Sequence, residues 1–300
     1  MIKNFDDIIR FAAERGPKTL VVAVAQDSEV LAAVKAASDL GIARAVLVGD
    51  GDEIRRIAGE ENIDISDYEI IDEKDKAAAC ARAAELVGSG KADMLVKGLV
   101  DTSIVLKAVL DERTGLRTGN VLSHVAVSEV KGYDRLFVIS DAGMNIAPDL
   151  QQKAQIIENA VQVAKALDVD QPKVGIVCAV EKVNPKMPAT LDAQELVRMN
   201  EEGKIKDCIV GGPFALDNAV SVEAAEHKGI KHPVAGRADV LIVPDIEAGN
   251  ILYKALTFFA RARSSGIVVG AKVPVVVTSR ADSHEAKLNS IALGVLIVSK

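Results

Sequence analysis

The stretch "VPVVVTSRADSHEAKLNSIAL" (273–293) ends a β-branched run in Thr278, Ser279, Arg280, Asp282, Ser283, His284 and Glu285, then resumes a helical apolar pattern. Part of this junction reads as local structure. Asp282 can cap the last helix, and Glu285 three residues later completes a capping-box pattern. Leu288, Ile291, Ala292 and Val295 form a stripe at i, i+3, i+4, i+7. Arg280 is left over. A cation just before a helix N-terminus opposes the helix dipole. A bound anion removes the conflict, because helix N–H groups and a guanidinium both favour phosphate.

Four other polar clusters interrupt the chain: "KGLVDTS" (97–103, with Lys97, Asp101 and Thr102) followed by Lys107, "SDAGMNIAPD" (140–149, with Asp141 and Asn145), "GGPFALDNAVS" (211–221) and "PDIEAGN" (244–250, with Gly249 and Asn250). Each follows a strand-like run. Open α/β sheets bind ligands beyond the carboxyl ends of their strands. One polar strand end is ordinary capping, whereas five in one chain point to a shared site.

Strand and helix patterns alternate around these clusters. "TLVVAVAQ", "RAVLVGD" and "ADMLVKGLVD" read as strands, with helical patterns such as "DSEVLAAVKAASDLG" and "KDKAAACARAAELVGSG" among them. This predicts βαβ units in an α/β fold of mainly parallel sheets with flanking helices. "LRTGNVLSHVAVSEV" and "DRLFVISDAGMN" are adjacent strand patterns with no helix between, so they are expected to pair antiparallel. A second alternating series follows, and "NILYKALTFFARARSS" reads as one helix. The expected organisation is two-lobed: residues 1–127 plus 269–300 in one α/β lobe, 128–268 in the other.

Composition excludes several classes. The net charge of −7 gives no general attraction to nucleic acid or anionic membranes. No apolar stretch reaches the roughly 18 residues of a membrane span, and the mixed-charge start is not a signal peptide. A cytoplasmic location is expected. Cys80, Cys178 and Cys208 lack metal or disulfide spacing and suit core positions. His124, His227 and His232 are widely separated and suit structural or surface roles, so no metal site is expected. No dinucleotide fingerprint, phosphate-binding P-loop, HExxH or G-x-S-x-G pattern occurs.

"PDIEAGNILYKAL", "VGGPFALDNAVS", "ISDAGMNIAPD" and "TSR" before the last helix together resemble the phosphate acetyl/butyryltransferase family along nearly the whole chain. Length and "KGLVDTS" look more like the butyryl branch. The resemblance implies reversible transfer of an acyl group between coenzyme A and phosphate. Acyl-CoA, inorganic phosphate and acyl phosphate would be its small-molecule partners, with CoA a substrate and no bound cofactor or metal. It implies an isocitrate/isopropylmalate dehydrogenase-like fold with the active site in the interlobe cleft, and a homodimer or higher oligomer. By motif it assigns Arg280 to the acyl phosphate and Ser279 to the CoA sulfur, and sets Lys107 near a basic residue of the acetyl branch. That branch places a catalytic Asp where this chain has Ala286. The base that takes the thiol proton is therefore open, with Glu285 the first choice and His284 and Asp282 behind it.

The chemistry asks for such groups. A thiol with a pKa of about 8.5 must lose its proton, phosphate is best held by a planar cationic fork, and a tetrahedral oxyanion needs donors. Butyryl transfer is the leading expectation. Acetyl transfer, a metal- and NAD-dependent decarboxylating dehydrogenase of the same fold, and a non-catalytic acyl-CoA or acyl phosphate sensor are the alternatives.

Overall fold

The structure is a computed structural model and describes residues 2–279 and 282–300. Its contacts divide into two compact units, Phe5–Asn120 with Ser265–Lys300, and Met1–Asn4 with Val121–Ser264.

The chain starts with α1 (Phe5–Arg15), β1 (Lys18–Ala23), α2 (Ser28–Asp39), β2 (Ala43–Gly49), α3 (Gly51–Glu60), β3 (Glu69–Asp72), α4 (Lys76–Gly88), β4 (Met94–Lys97) and α5 (Thr102–Val109). Next come β5 (Ser123–Glu129), β6 (Leu136–Ser140), α6 (Leu150–Ala166), β7 (Lys173–Val177), α7 (Pro188–Glu201), β8 (Ile209–Phe214), α8 (Leu216–Val220), α9 (Val222–His227), β9 (Val240–Ile242) and α10 (Ile246–Phe258). The chain closes with β10 (Arg263–Val269), β11 (Val275–Val276) and α11 (His284–Val298).

In the first unit the strand order is β3-β2-β1-β4-β11-β10. All neighbours are parallel except β10 against β11. Leu20, Val21, Val22 and Ala23 of β1 are fully buried, as expected of a strand covered on both faces. Helix α2 is capped by Asp27, whose carboxylate accepts from Val30 N at 2.9 Å.

In the second unit the order is β5-β6-β9-β7-β8, parallel except for the antiparallel β5–β6 pair. The strand patterns at 116–130 and 134–145 thus pair as their lack of an intervening helix predicts. Helix α6 opens with a capping box between Asp149 and Gln152. The N-terminus joins this unit through Ile2 N–H donating to Leu167 O at 3.1 Å. The unit boundaries fall after Asn120 and Ser264, whereas the sequence patterns set them after 127 and 268. The first boundary moves because β5 starts at Ser123 and pairs with β6.

Two expectations about elements are corrected. The helix read through 250–265 ends at Phe258, and β10 follows. Arg261 takes a left-handed φ of 49°, while Ala260 and Ala262 N–H donate back to Ala255 and Leu256 carbonyls and close the turn. The "RSSGIVV" run is then free to extend. Helix α11 also lacks the narrow stripe expected of it. It is buried on every side from Asn289 to Ile297 and packs on α1 and α2, as an all-round apolar helix must.

Candidate active site

Strands β1, β4 and β11 are parallel neighbours, so their carboxyl ends share one edge of the first unit. The segments 24–29, 98–102 and 277–279 emerge there. The first two run against each other. Gly98 N–H donates to Ala23 O at 2.9 Å and Leu99 N–H to Val24 O at 2.8 Å. A Cβ on Gly98 would stand 2.0 Å from Val24 O, so only glycine fits. Val24 is β-branched and buried, yet holds a left-handed φ of 62°. Such a conformation costs about 1–3 kcal/mol and collects at functional sites.

Several of the sequence-designated residues meet at this edge. Lys97 ends β4, buried at 5% exposure, with Nζ donating to Gly98 O and Val100 O, each at 3.3 Å. Its ammonium thus braces the turn that leads to the exposed Asp101 and to Thr102. Asp101 occupies the cap position of α5 without a side-chain capping bond. Lys107 is exposed in the last turn of that helix, about 7.5 Å along the axis from Thr102 at 1.5 Å per residue. It is thereby set apart from the strand-end residues.

The opening junction is built differently from the sequence expectation. The cap of α11 is Ser283, whose Oγ accepts from Ala286 N at 3.3 Å, not Asp282. Asp282 turns back instead: its Oδ2 accepts from Ser279 N at 2.7 Å, and its own N–H donates to Ser279 O at 3.2 Å. The capping box with Glu285 is therefore replaced by a one-residue shift of the cap and a closed Ser279–Asp282 turn. Arg280, which carries the anion-site expectation, lies outside the described residues. The residues on either side, Ser279 and Asp282 to Glu285, are exposed or half-buried.

Two residues that sequence reasoning missed complete the junction. Glu29, in the first turn of α2, accepts from His284 N at 2.6 Å and places Oε2 3.5 Å from His284 Nδ1. No local pattern could reveal a partner 255 positions away. Lys287 is buried and donates from Nζ to Asp282 O at 2.5 Å and Ser279 O at 3.4 Å. Its signal was present in the sequence, as a lysine inside a strongly apolar helix.

In the second unit the structure gathers Asp141, Asn145, Gly249 and Asn250. Asp141 is 3% exposed. Its carboxylate accepts from Gly143 N and Met144 N at 2.8 Å, Asn145 N at 3.2 Å and Asn145 Nδ2 at 2.6 Å. Asn145 Nδ2 also donates to Leu122 O at 2.8 Å. Helix α10 is capped by Asp245, so Gly249 is not the helix start but a point of contact. A Cβ there would stand 2.3 Å from Asp141 O. Asn250 Nδ2 donates to Ala142 O at 3.3 Å. These bonds shape the loop after β6 and dock α10 upon it.

The remaining groups are structural. Cys80, Cys178 and Cys208 are buried, free thiols, each pushed up to about 11 by desolvation. His232 accepts from Val234 N at 3.2 Å, and burial lowers its pKa. The ring leaves no room for a Cβ on Gly211, which would stand 2.5 Å from Nδ1. This accounts for one glycine of the "GGPF" cluster.

The profile described as Phosphate acetyl/butaryl transferase matches residues 4–81 and 76–295. A phosphate butyryltransferase of Clostridium beijerinckii is 51% identical over 300 residues, covering 100% of this chain and 99% of its own. A phosphate acetyltransferase of Thermotoga maritima is 49% identical over 288 residues, covering 96% and 97%. The crystal structure of a branched-chain phosphotransacylase from Enterococcus faecalis V583 superposes with a TM-score of 0.83 at 36% identity, covering 94% of this chain and 99% of that one. These relatives bear acyltransferase names, which removes support from the dehydrogenase alternative.

Proposed function

The chain belongs to the phosphate acetyl/butaryl transferase family, and on that premise we propose that it interconverts butyryl-CoA plus phosphate with butyryl phosphate plus CoA. The observation that carries the butyryl assignment is the 51% identity with a phosphate butyryltransferase over the full chain. Acetyl transfer is the second reading, favoured by the 49% identity with a phosphate acetyltransferase.

In the forward direction a phosphate oxygen attacks the thioester carbonyl. The tetrahedral oxyanion collapses, the C–S bond breaks, and the sulfur leaves as a thiolate that is then protonated. In reverse, the CoA thiol gives its proton to a base and the thiolate attacks the acyl phosphate. Arg280 holds the phosphoryl group through its planar fork, and Ser279 donates to the developing negative charge on sulfur. His284 is the proton acceptor, with Glu29 facing its Nδ1 as an orienting carboxylate. Glu285 is the alternative base, one position on. Lys97, Asp101, Thr102 and Lys107 belong to the same proposal as substrate-binding groups, whereas Asp141, Asn145, Gly249 and Asn250, whose bonds close on the loop after β6, are assigned to shaping that loop.

The family resemblance also carries the isocitrate/isopropylmalate dehydrogenase-like lobes with the reaction in their cleft, a cytoplasmic location and a homodimer. Helix α10 and its C-cap support the last: Ile251, Phe258 and the capping Phe259 are 68%, 69% and 90% exposed, costly in water unless covered. No helix among the described residues is long and apolar enough to cross a membrane. Sedimentation of wild type against Phe259→Glu tests the dimer; an unchanged monomer in both sinks it.

A thiol-release assay with phosphate and a panel of acyl-CoAs tests the reaction. Fastest turnover with butyryl-CoA, without added metal, is expected. No CoA release from any of them defeats the proposal, and activity abolished by chelator but restored by one divalent ion defeats its metal-free part.

A further inference from the structure

The first turn of α11 holds a cation that the reaction outlined above does not use. Lys287 is 5% exposed. Its Nζ meets two carbonyls, those of Ser279 and Asp282, and among the described residues it pairs with no carboxylate. The carbonyls satisfy two N–H bonds but cancel no charge. Burying an ammonium without a counter-charge is strongly unfavourable, and the first turn is the helix end whose dipole repels cations. Residues 289–297 around it are buried and mostly apolar, so a leucine or methionine would fill the position without that penalty. A tether for two carbonyls needs donors but no charge.

We propose that Lys287 is a positioning residue for the phosphate half of the reaction. Its ammonium braces the carbonyls on both sides of residues 280–281 and supplies, from inside the protein, positive charge that an arriving phosphoryl group neutralises. The inference rests on the phosphoryl-handling role proposed for this junction and adds a second cation to it, one that touches the turn rather than the substrate.

Lys287→Gln retains N–H donors and removes the charge, and Lys287→Arg retains the charge. In the thiol-release assay, Lys287→Gln is expected to raise KM for phosphate roughly tenfold or more. KM for acyl-CoA should stay within about twofold, and Lys287→Arg should recover most of the phosphate KM. Three outcomes overturn the proposal: Lys287→Gln kinetics equal to wild type, both KM values rising together, or Lys287→Arg behaving as Lys287→Gln.

A second measurement needs neither turnover nor a folded variant. In wild-type protein with isotope-labelled lysine side chains, titration with inorganic phosphate should shift the Lys287 ammonium resonance, told by sequence-specific assignment from those of the other buried lysines, Lys97 and Lys153. Absence of that shift overturns the proposal. If wild type releases no CoA from any acyl-CoA, the reaction is wrong, and the phosphate titration alone still decides the role of Lys287.

Discussion

Two polar strand ends of this chain look alike in sequence and differ in what their hydrogen bonds leave over. After β6, the buried Asp141 carboxylate collects four donors from residues 143–145, and Asn145 and Asn250 reach the carbonyls of Leu122 and Ala142. The polar groups there are turned inward, upon their own loop. After β11, Asp282, Ser283 and Lys287 serve the main chain. Ser279, His284 and Glu285 stay exposed, and the buried Lys287 ammonium meets no carboxylate among the described residues. A loop whose donors and acceptors close on themselves is scaffold. One that closes its backbone while keeping polar side chains at the surface is what the proposed phosphoryl site asks for.

That contrast breaks most readily at Asp141. Asp141→Ala strips the acceptor from four buried donors and should cost about 3–5 kcal/mol of stability, read from urea unfolding. The residual folded protein should keep a near-normal KM for phosphate. A stable variant with a raised phosphate KM would make this loop part of the binding site and erase the distinction.

Arg280→Lys should do the reverse. Unfolding should be unchanged, while kcat/KM for phosphate falls roughly 30- to 1,000-fold, about 2–4 kcal/mol of lost transition-state binding. A variant equal to wild type at every phosphate concentration would make Arg280 a surface cation.

The base comes next. His284→Ala should lower kcat about a hundredfold, and Glu29→Gln about tenfold through loss of orientation. If Glu285→Gln shows the larger loss and His284→Ala is mild, the roles of the two neighbours are exchanged.

The smallest effect concerns the pH dependence of the inward-facing unit. Burial lowers the His232 pKa from 6.5, so the folded state favours the neutral ring that accepts from Val234 N. Its stabilising contribution is fully present above the unfolded value of 6.5 and is lost as pH falls through the lower folded value. Between pH 7.5 and pH 5.5, conditions chosen to bracket that value, the urea midpoint of wild type should fall more than that of His232→Asn. Equal slopes would remove His232 from the account.

How much of the molecule is legible in its sequence follows from the range of the interactions. β1, β2, β4, β6 and β7 announce themselves as continuous apolar runs, because parallel strands are covered on both faces. β10 is hidden behind "FARARSS", since nothing in those letters shows that Arg261 will turn left-handed and end the helix. The Ser279–Glu285 cluster is visible because its chemistry is local. Its cap is misplaced by one residue, because Asp282 and Ser283 are both good caps and only the fold reveals that Asp282 is engaged by Ser279 N–H. Glu29 is beyond reach, since its link to His284 is made by β1 and β11, which flank β4 in the sheet, and not by spacing. Asp141 and Asn145 are legible as a polar cluster but not as a closed one, because closure depends on bonds that form only in three dimensions.

The buried cysteines have a practical consequence for anyone following this reaction. With each pushed up to about 11 by desolvation, only about one in a thousand protein thiols would be ionised at pH 8, against roughly a quarter of a free thiol. A chromogenic disulfide added to the assay therefore sees the released substrate almost alone. Its background trace becomes a second instrument: slow colour in the absence of acyl-CoA records how often the native fold opens far enough to show Cys80, Cys178 or Cys208 to solvent. Catalytic turnover and the breathing of the folded chain can be timed in one cuvette with one dye.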